Sequence, residues 1–399
     1  MKEFWASPDS GKETAAVEFT LNEEQQMLKG IARDFLESRC PKAHVRDMLT
    51  DEKGYSPELW QEMAELGWQG LMFPEEYGGT GGDFVDMALL IEEMGRALLP
   101  GPFIPTVVYG GVAILKAGTS EQKKEFLPRI AQGELILTLA LQESADRFDA
   151  EGVAMEAVEE GDHYILSGTK ILVPYAHVAD YIICVCRGRG GGDAADGISL
   201  FLVDAKGEGI TCTTRTAFDG RKLCDVKLDK VKVSKANMLG ELQGGWPLVE
   251  TLIDHGYVAM CAEAVGGAQM AMEMSVSYAQ ERIQFGRPIG TNQAIKHKCA
   301  DMFVNVECGR SIMYWAAWAV DEVVAEASLA VPMAKSWCCD AYRRVTADSI
   351  QVHGGIGFTW DHDLHLYFKR AKTLEYTFGD SDYQREIVVR ELERQLALG

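Results

Sequence analysis

The sequence predicts an α+β protein in which a helical domain, a β domain and a helical bundle follow one another along the chain. Three observations support this order. The first 130 residues show the 3.6-residue apolar period of amphipathic helices, residues from about 135 to 240 alternate short β-rich runs with turns, and long helical segments follow from about residue 246. A length of 399 residues suggests two or three domains. We place the domains at residues 1–133, 134–242 and 243–399, with borders where glycine and proline cluster.

Start and stop signals define the helices of the first domain. Residues 21–37 have acidic residues in the first turn and an apolar stripe behind it, so they predict an amphipathic helix. Ser56-Pro57 predicts a second helix start, because proline is favoured at the first helical position. A further helix over residues 83–98 is expected to end at Pro100-Gly101-Pro102.

The middle domain contains β-rich runs separated by turns. They are Leu135–Leu139, Tyr164–Leu166, Tyr181–Cys186, Ile198–Val203 and Val231–Val233. This spacing predicts an antiparallel β-barrel or sandwich, and we expect the barrel. The glycine-rich residues 188–197 predict a hairpin tip and not a phosphate-binding loop, because no helix start follows them. In the last domain, residues 262–282, 292–322 and 330–352 predict the long helices of a bundle.

Charge and composition exclude several classes of protein. The net charge of −21 argues against a nucleic-acid partner, and no apolar run approaches the roughly 18 residues of a membrane span. The first residues lack the layout of a secretory signal, and ten cysteines without paired spacing read as reduced thiols, so a cytoplasmic location is expected. His362 and His365 are a weak metal signal, and we expect no metal.

Three motifs, in order along the chain, resemble signatures of the acyl-CoA dehydrogenase family of flavoproteins. They are Ala64–Leu71 leading into Pro74–Gly79, then Arg282-Ile283-Gln284-Phe285-Gly286-Arg287-Pro288-Ile289, and finally Gln351-Val352-His353-Gly354-Gly355-Ile356-Gly357-Phe358. The resemblance implies FAD held between the subunits of a homo- or heteromeric dimer or tetramer, an acyl-CoA substrate, and electron transfer to an electron-transfer flavoprotein. It also implies that a carboxylate base removes the α-proton while the flavin accepts the β-hydrogen as hydride.

The customary base is absent from both positions that the family uses. Phe378 stands where most members have a glutamate, and Gly256 stands at the alternative position. Asp380 is the nearest surviving carboxylate, and we predict it as the base if this chain catalyses alone, although an aspartate after glycine is also typical of a turn or cap. Asp254 and Glu263 flank the alternative position and are weaker candidates.

This sequence retains the segments that family members extend towards the FAD of a neighbouring subunit. The segments that family members use to contact the FAD of their own subunit are not retained. Residues 143–149 and 171–174 depart from the family's substrate- and flavin-contacting stretches. The resemblance assigns six retained residues to a neighbour's cofactor: Arg282, Phe285, Gln293, Gln351, Gly354 and Gly355.

This imbalance leaves three functions open. The chain is a subunit that completes a partner's FAD site, a self-sufficient dehydrogenase that uses Asp380, or a non-redox CoA-thioester enzyme. The substrate is expected to be an unusual acyl group that is branched, cyclic, aromatic or steroid-derived.

Overall fold

The structure is a computed structural model that describes residues 21–144, 147–188, 194–322 and 324–398. The interpretation of the first residues as lacking a secretory signal lies outside the described residues. Parts of two other predictions also lie outside them, namely the hairpin tip at 188–197 and the segment 143–149.

In the N-terminal region from residue 21 onwards, the structure describes six α-helices and short 3₁₀ and π turns. The helices are α1 (Glu23–Arg39), α2 (Lys42–Thr50), α3 (Pro57–Glu65), α4 (Phe84–Ala97), α5 (Val112–Ala117) and α6 (Ser120–Ala131). Side-chain caps explain where four of them begin. Asn22, Asp83 and Thr119 form capping boxes at α1, α4 and α6, and Ser56 caps α3 with Pro57 as its first residue. The start predicted at Pro57 is the observed one, whereas α1 begins two residues after the predicted residue 21 and α4 begins one residue after the predicted residue 83.

Eight strands among the described residues of the middle region form one mixed sheet. They are β1 (Leu137–Ala140), β2 (Glu156–Glu160), β3 (His163–Pro174), β4 (Tyr181–Arg187), β5 (Ile198–Asp204), β6 (Ile210–Thr216), β7 (Lys222–Ser234) and β8 (Met238–Leu239). The strand order is β6-β7-β3-β2-β4-β5-β8, and β1 lies beside β4. All five predicted β-rich runs overlap strands.

The expected antiparallel barrel is not supported. β1 pairs with β4 in parallel. The first residue of β2, Glu156, also pairs in parallel with β4, at Arg187. Among the described residues, β6 and β8 end the strand order without pairing with each other, so no ladder closes the sheet. A barrel requires that closing ladder.

After the sheet, the described part of the chain has five α-helices: α7 (Trp246–Glu281), α8 (Gln293–Asp321), α9 (Ala327–His353), α10 (Leu364–Tyr376) and α11 (Ser381–Leu398). A small hairpin of β9 (Ile283–Gln284) and β10 (Arg287–Pro288) connects α7 to α8. Within the helical region expected from about residue 246, the sequence analysis named residues 262–282 as a helix, and the observed α7 extends back to Trp246. No helix in the described part of the chain is long and apolar enough to cross a membrane.

Helices α4 and α7 pack with their backbones in direct contact. A Cβ atom at Gly95 would overlap the carbonyl oxygen of Glu263, and one at Gly266 would overlap that of Glu92. Larger residues at these two glycines would therefore force the helices apart. This contact fixes the position of Glu263, which faces the cavity described next.

Candidate active site

A cavity of about 710 Å³ lies where the three regions of the chain meet. Its walls come from α4 and the segment after it, from the end of β3, from the turn between β6 and β7, and from α7 and α10. The lining is mainly apolar, as is typical of a site for a large organic group.

Aromatic rings fill both places where the family resemblance puts a base: Phe378 stands at one position, and the Tyr109 ring lies against Gly256 at the other. Phe378 lines the cavity and packs edge-on against Tyr109 and Phe148, with ring centroids 6.3 and 6.1 Å away. A Cβ atom at Gly256 would lie 2.5 Å from the Tyr109 ring and hydroxyl. The first customary position therefore holds a phenyl ring, and the second has no room for a longer side chain.

The structure places Asp380 at the start of α11. Its carboxylate accepts a hydrogen bond from the Tyr383 backbone N–H at 3.0 Å, and its carbonyl oxygen accepts one from the Gln384 N–H at 3.0 Å. These contacts make Asp380 the N-cap of the helix. Asp380 is not among the residues that line the cavity, so the geometry favours the cap over the base.

Asp254 is one of the two carboxylates that flank Gly256, the alternative base position. Like Asp380, Asp254 does not line the cavity. Burial, and then the neighbouring charge of Glu250, raise the pKa of Asp254 to about 7. A carboxyl group in such surroundings favours its neutral form.

This shift predicts a pH-dependent stability. The folded chain holds the Asp254 proton more tightly than the unfolded chain, so protonated Asp254 contributes to the stability of the folded chain. This stabilising contribution is fully present below the unfolded pKa of about 4 and is lost as the pH rises towards 7. We expect Asp254→Asn to raise the melting temperature at pH 8 and to change it little at pH 4. Melting curves of this variant and of the exposed control Asp382→Asn test this. An equal shift at both pH values would contradict it.

Four charged side chains form a cluster that we call the cavity ion cluster: Asp219, Arg221, Glu263 and Arg370. Arg370 pairs with Glu263 and, at 2.7 Å, with Asp219, which also pairs with Arg221 at 2.7 Å. Burial raises the pKa of Asp219, but the two arginines outweigh burial and hold that pKa below its usual range. All members except Asp219 line the cavity.

Sequence reasoning missed this cluster. Its residues come from the β6–β7 turn, from α7 and from α10, and no short-range pattern connects them. The only available signal was that Glu263 lies seven residues after Gly256, which places both on one face of a helix.

The six predicted cofactor residues lie together at one end of the C-terminal bundle, outside the cavity lining. Arg282 ends α7, Phe285 is the tip of the β9–β10 hairpin, and Gln293 begins α8. Gln351 is near the end of α9, and Gly354 and Gly355 follow that helix. Two contacts join these helix ends: the rings of Tyr278 and His353 stack at 4.3 Å, and Lys298 pairs with Asp348.

This end of the bundle is open to solvent in the single chain. Phe285 is 98% exposed and Phe358 is 75% exposed. Gly354 has a φ of 64°, which favours glycine, and no side chain of the described residues fills the space where a Cβ atom at Gly354 or Gly355 would point. A ligand or a second chain can therefore approach the backbone here.

The described residues contain no group of three or more His, Cys, Asp or Glu side chains placed to hold a metal ion. His362 instead packs against the His353 ring at 4.6 Å, and His365 packs against Trp360 at 4.6 Å.

Sequence profiles of three consecutive domains match this chain. The N-terminal, middle and C-terminal domains of acyl-CoA dehydrogenase match residues 22–134, 138–231 and 243–393. The chain belongs to the acyl-CoA dehydrogenase family. Members of this family are FAD-dependent flavoproteins and oxidoreductases, and their fold has the same order of helical, β and helical regions.

Relatives and solved structures agree with this assignment over almost the whole chain. The "Probable acyl-CoA dehydrogenase YngJ" of Bacillus subtilis is 33% identical over 94% of this chain and 99% of its own length. The "Caffeyl-CoA reductase-Etf complex subunit CarC" of Acetobacterium woodii is 29% identical, over 92% of this chain and 97% of its own. The ChsE4-ChsE5 complex of Mycobacterium tuberculosis contains a chain that matches with a TM-score of 0.85 and 28% identity, over 96% of this chain and 99% of that one.

Proposed function

We propose that this chain is a subunit of a heteromeric, FAD-dependent acyl-CoA dehydrogenase and completes the FAD site of a neighbouring family member. The observation that carries the proposal is the aromatic packing of Phe378, Tyr109 and Phe148 at the positions where a base is customary. A phenyl ring cannot accept the α-proton, so the base comes from the partner subunit in this proposal.

The residues at the open end of the bundle fit a FAD molecule that approaches from outside the chain. Arg282 is exposed and can donate charge-assisted hydrogen bonds to a diphosphate. The uncovered Phe285 ring can pack against an adenine, and the Gly354-Gly355 backbone allows close approach. Bound FAD supplies the hydride acceptor for oxidation of the acyl group.

The segment of this chain that would face its own flavin fits less well. Leu172 and Pro174 stand in β3 where the family carries an aromatic residue and a hydroxyl donor. Leu172 adopts a φ of 55°, which is unusual for a side chain of that size. This asymmetry supports a division of labour in which the chain contributes to a neighbour's cofactor. The two-protein name of the ChsE4-ChsE5 complex and the Etf complex of the Acetobacterium relative support a second family subunit and an electron-transfer flavoprotein as partners.

The proposal is tested by producing the chain alone and together with a family member encoded beside it that retains the customary glutamate. Light scattering gives the assembly, flavin absorbance gives the FAD content, and dye reduction with acyl-CoA gives turnover. We expect a mixed dimer or tetramer with flavin, and turnover only when both chains are present. A flavin-loaded assembly of this chain alone that oxidises acyl-CoA would overturn the proposal in favour of a self-sufficient enzyme. If the thioester is converted to a product without being oxidised, that result would favour the non-redox alternative.

Asp380→Asn separates the cap from the base. Asparagine caps helices about as well as aspartate, so we expect unchanged melting and turnover of the mixed assembly within about twofold. Loss of a true general base lowers turnover by about 10² or more. The measurement is steady-state dye reduction, with the exposed neighbour Asp382→Asn as the control. If turnover falls about a hundredfold in Asp380→Asn and not in the control Asp382→Asn, Asp380 is the base.

A further inference from the structure

Two cysteines and a histidine lie together near one edge of the sheet, outside the cavity lining. Cys212 of β6 pairs with Val226, and Cys224 of β7 pairs with Thr214. Residues two apart on a strand point to the same face, so the two cysteines are diagonal neighbours on one face of the sheet. His177 lies in the turn after β3 and contacts Cys224. We call His177, Cys212 and Cys224 the thiol cluster.

The His177 ring is oriented to take a proton from Cys224. Its Nε2 lies 3.0 Å from the carbonyl oxygen of Glu52 and 3.2 Å from that of Lys53. Carbonyl oxygens only accept hydrogen bonds, so Nε2 carries a hydrogen. The other ring nitrogen, Nδ1, lies 3.6 Å from Sγ of Cys224 and is then an acceptor for the thiol proton. A thiol beside an oriented imidazole is the arrangement of an activated cysteine nucleophile.

The surroundings of Cys224 stabilise its thiolate form. The hydroxyl of Thr214 lies 3.9 Å from Sγ of Cys224. The Cys212 thiol, and after it the His177 ring, lower the pKa of Cys224, although burial alone would raise it. The same interaction between the thiols raises the pKa of Cys212. Cys224 is therefore the nucleophile of the pair, because the thiolate is the reactive form of cysteine, and Cys212 keeps its proton.

The position of the cluster gives a small molecule a route to Cys224. Cys224 is buried, whereas Cys212 and His177 are partly exposed and Thr214 is exposed. In the described strand order, β6 is an end strand and pairs with β7 only, so it opens more easily than an inner strand. A metal ion does not explain the cluster, since the described His, Cys, Asp and Glu side chains form no group placed to hold one.

We propose that Cys224 and Cys212 form a reversible disulfide when the protein meets hydrogen peroxide, with His177 as the base that activates Cys224. The proposal is independent of the partner and of the acyl group. Its product would close a loop of residues 213–223, which contains the β6–β7 turn. Phe218 and Arg221 of that turn line the cavity, so the disulfide would fasten the two strands that carry this part of the wall.

The reaction takes two steps. The thiolate of Cys224 attacks one oxygen of the peroxide, the O–O bond breaks, and the sulfur becomes a sulfenic acid. The hydroxide that leaves takes the proton held by His177 and becomes water. The sulfur of Cys212 then attacks the sulfur of Cys224, the S–O bond breaks, and the hydroxyl leaves with the Cys212 proton as a second water. The two thiols lose two electrons, and the peroxide gains them.

Peptide mapping of the full chain after peroxide treatment tests the proposal. Free thiols are alkylated after timed exposure at pH 7, and the chain is cut with trypsin. Cleavage after Lys206, Arg215, Lys222 and Lys227 gives peptides 207–215 and 223–227, which hold one cysteine each. We expect mass spectrometry to find these two peptides linked, and dithiothreitol to separate them again.

The chain contains a matched pair of cysteines as an internal control. Cys261 and Cys338 are also buried and interact with each other, but Cys338 donates to the carbonyl oxygen of Gly309 at 3.3 Å and not to a histidine. An ordinary thiol is only a few per cent thiolate at pH 7. We therefore expect a link between Cys261 and Cys338 to form at least about tenfold more slowly than the link between Cys212 and Cys224.

Three variants assign the roles within the cluster. His177→Gln retains an amide that can donate to the Glu52 carbonyl but cannot take the thiol proton, so the link should form about tenfold more slowly. His163→Gln changes a partly exposed histidine of β3 and should leave the rate unchanged. In Cys212→Ser, Cys224 should stop at the sulfenic acid, which dimedone captures. Melting curves verify that each variant is folded.

Three results would overturn the proposal. The first is no link between Cys212 and Cys224 at a peroxide dose that oxidises the exposed Cys308. The second is a link between Cys261 and Cys338 that forms equally fast. The third is an unchanged rate in folded His177→Gln. If that variant does not fold, the comparison of the two cysteine pairs in the wild type still decides.

Discussion

Arg282→Ala is expected to weaken the affinity of the mixed assembly for FAD by about ten- to a hundredfold, so the purified variant should hold less flavin. Arg282 ends α7 beside the open hairpin, where its guanidinium can reach a diphosphate held by the neighbouring subunit. Each charge-assisted hydrogen bond lost there weakens binding by about 1.5–3 kcal/mol. Flavin absorbance per protein after gel filtration, followed by titration of the apoprotein with FAD, measures the effect.

A structural defect would also release flavin, so the apoprotein is measured as well. Because Arg282 is exposed, the melting temperature of the flavin-free variant should equal that of the wild type. Arg129→Ala, a partly exposed arginine on α6, is the control and should retain full flavin. Wild-type FAD affinity in Arg282→Ala would remove Arg282 from the cofactor site.

Arg370→Met is expected to lower the free energy of unfolding by about 3–5 kcal/mol, the largest stability effect that we predict. The substitution leaves Asp219 without one of its two cations and removes the main partner of Glu263, while both carboxylates stay buried. Urea denaturation of the purified chain, followed by circular dichroism, gives the change.

Two further variants separate charge from packing. Arg370→Met combined with Glu263→Gln should recover part of the loss, because one uncompensated carboxylate is then neutral. Arg215→Met breaks a pair with Asp225 in which the arginine is 63% exposed, and it should cost at most about 1 kcal/mol. If Arg370→Met costs no more than this surface variant, the cluster does not stabilise the cavity wall.

Several helices were predictable from local signals, but α2, which has no side-chain cap, was not predicted, and the sheet was predictable only in part. The caps at Asn22, Ser56 and Asp83 are short-range signals, and the observed helices begin at them. β6 was missed because it is largely exposed and polar, and β2 was missed because it is short and acidic. The parallel pairing of β1 with β4 joins residues more than forty positions apart, and no local pattern contains that information.

The candidate site divides in the same way. The absence of a carboxylate at residues 378 and 256 was visible in the sequence through the family resemblance. The rings that fill the space around them, from Tyr109 and Phe148, required the fold. Asp380 was ambiguous between base and cap, because an aspartate can serve as either, and its hydrogen bond from the Tyr383 N–H becomes visible only in the structure.

The backbone contact between α4 and α7 has a consequence for how the range of accepted acyl groups can change. Gly95 and Gly266 hold these helices together, so this wall of the cavity cannot widen without separating the two helices. Another part of the wall is the β6–β7 turn, where Phe218 lines the cavity and is 62% exposed. Natural divergence and laboratory selection for new acyl groups should therefore accumulate substitutions at Ala217 and Phe218, with α4, α7 and the ion-paired Asp219 and Arg221 left unchanged.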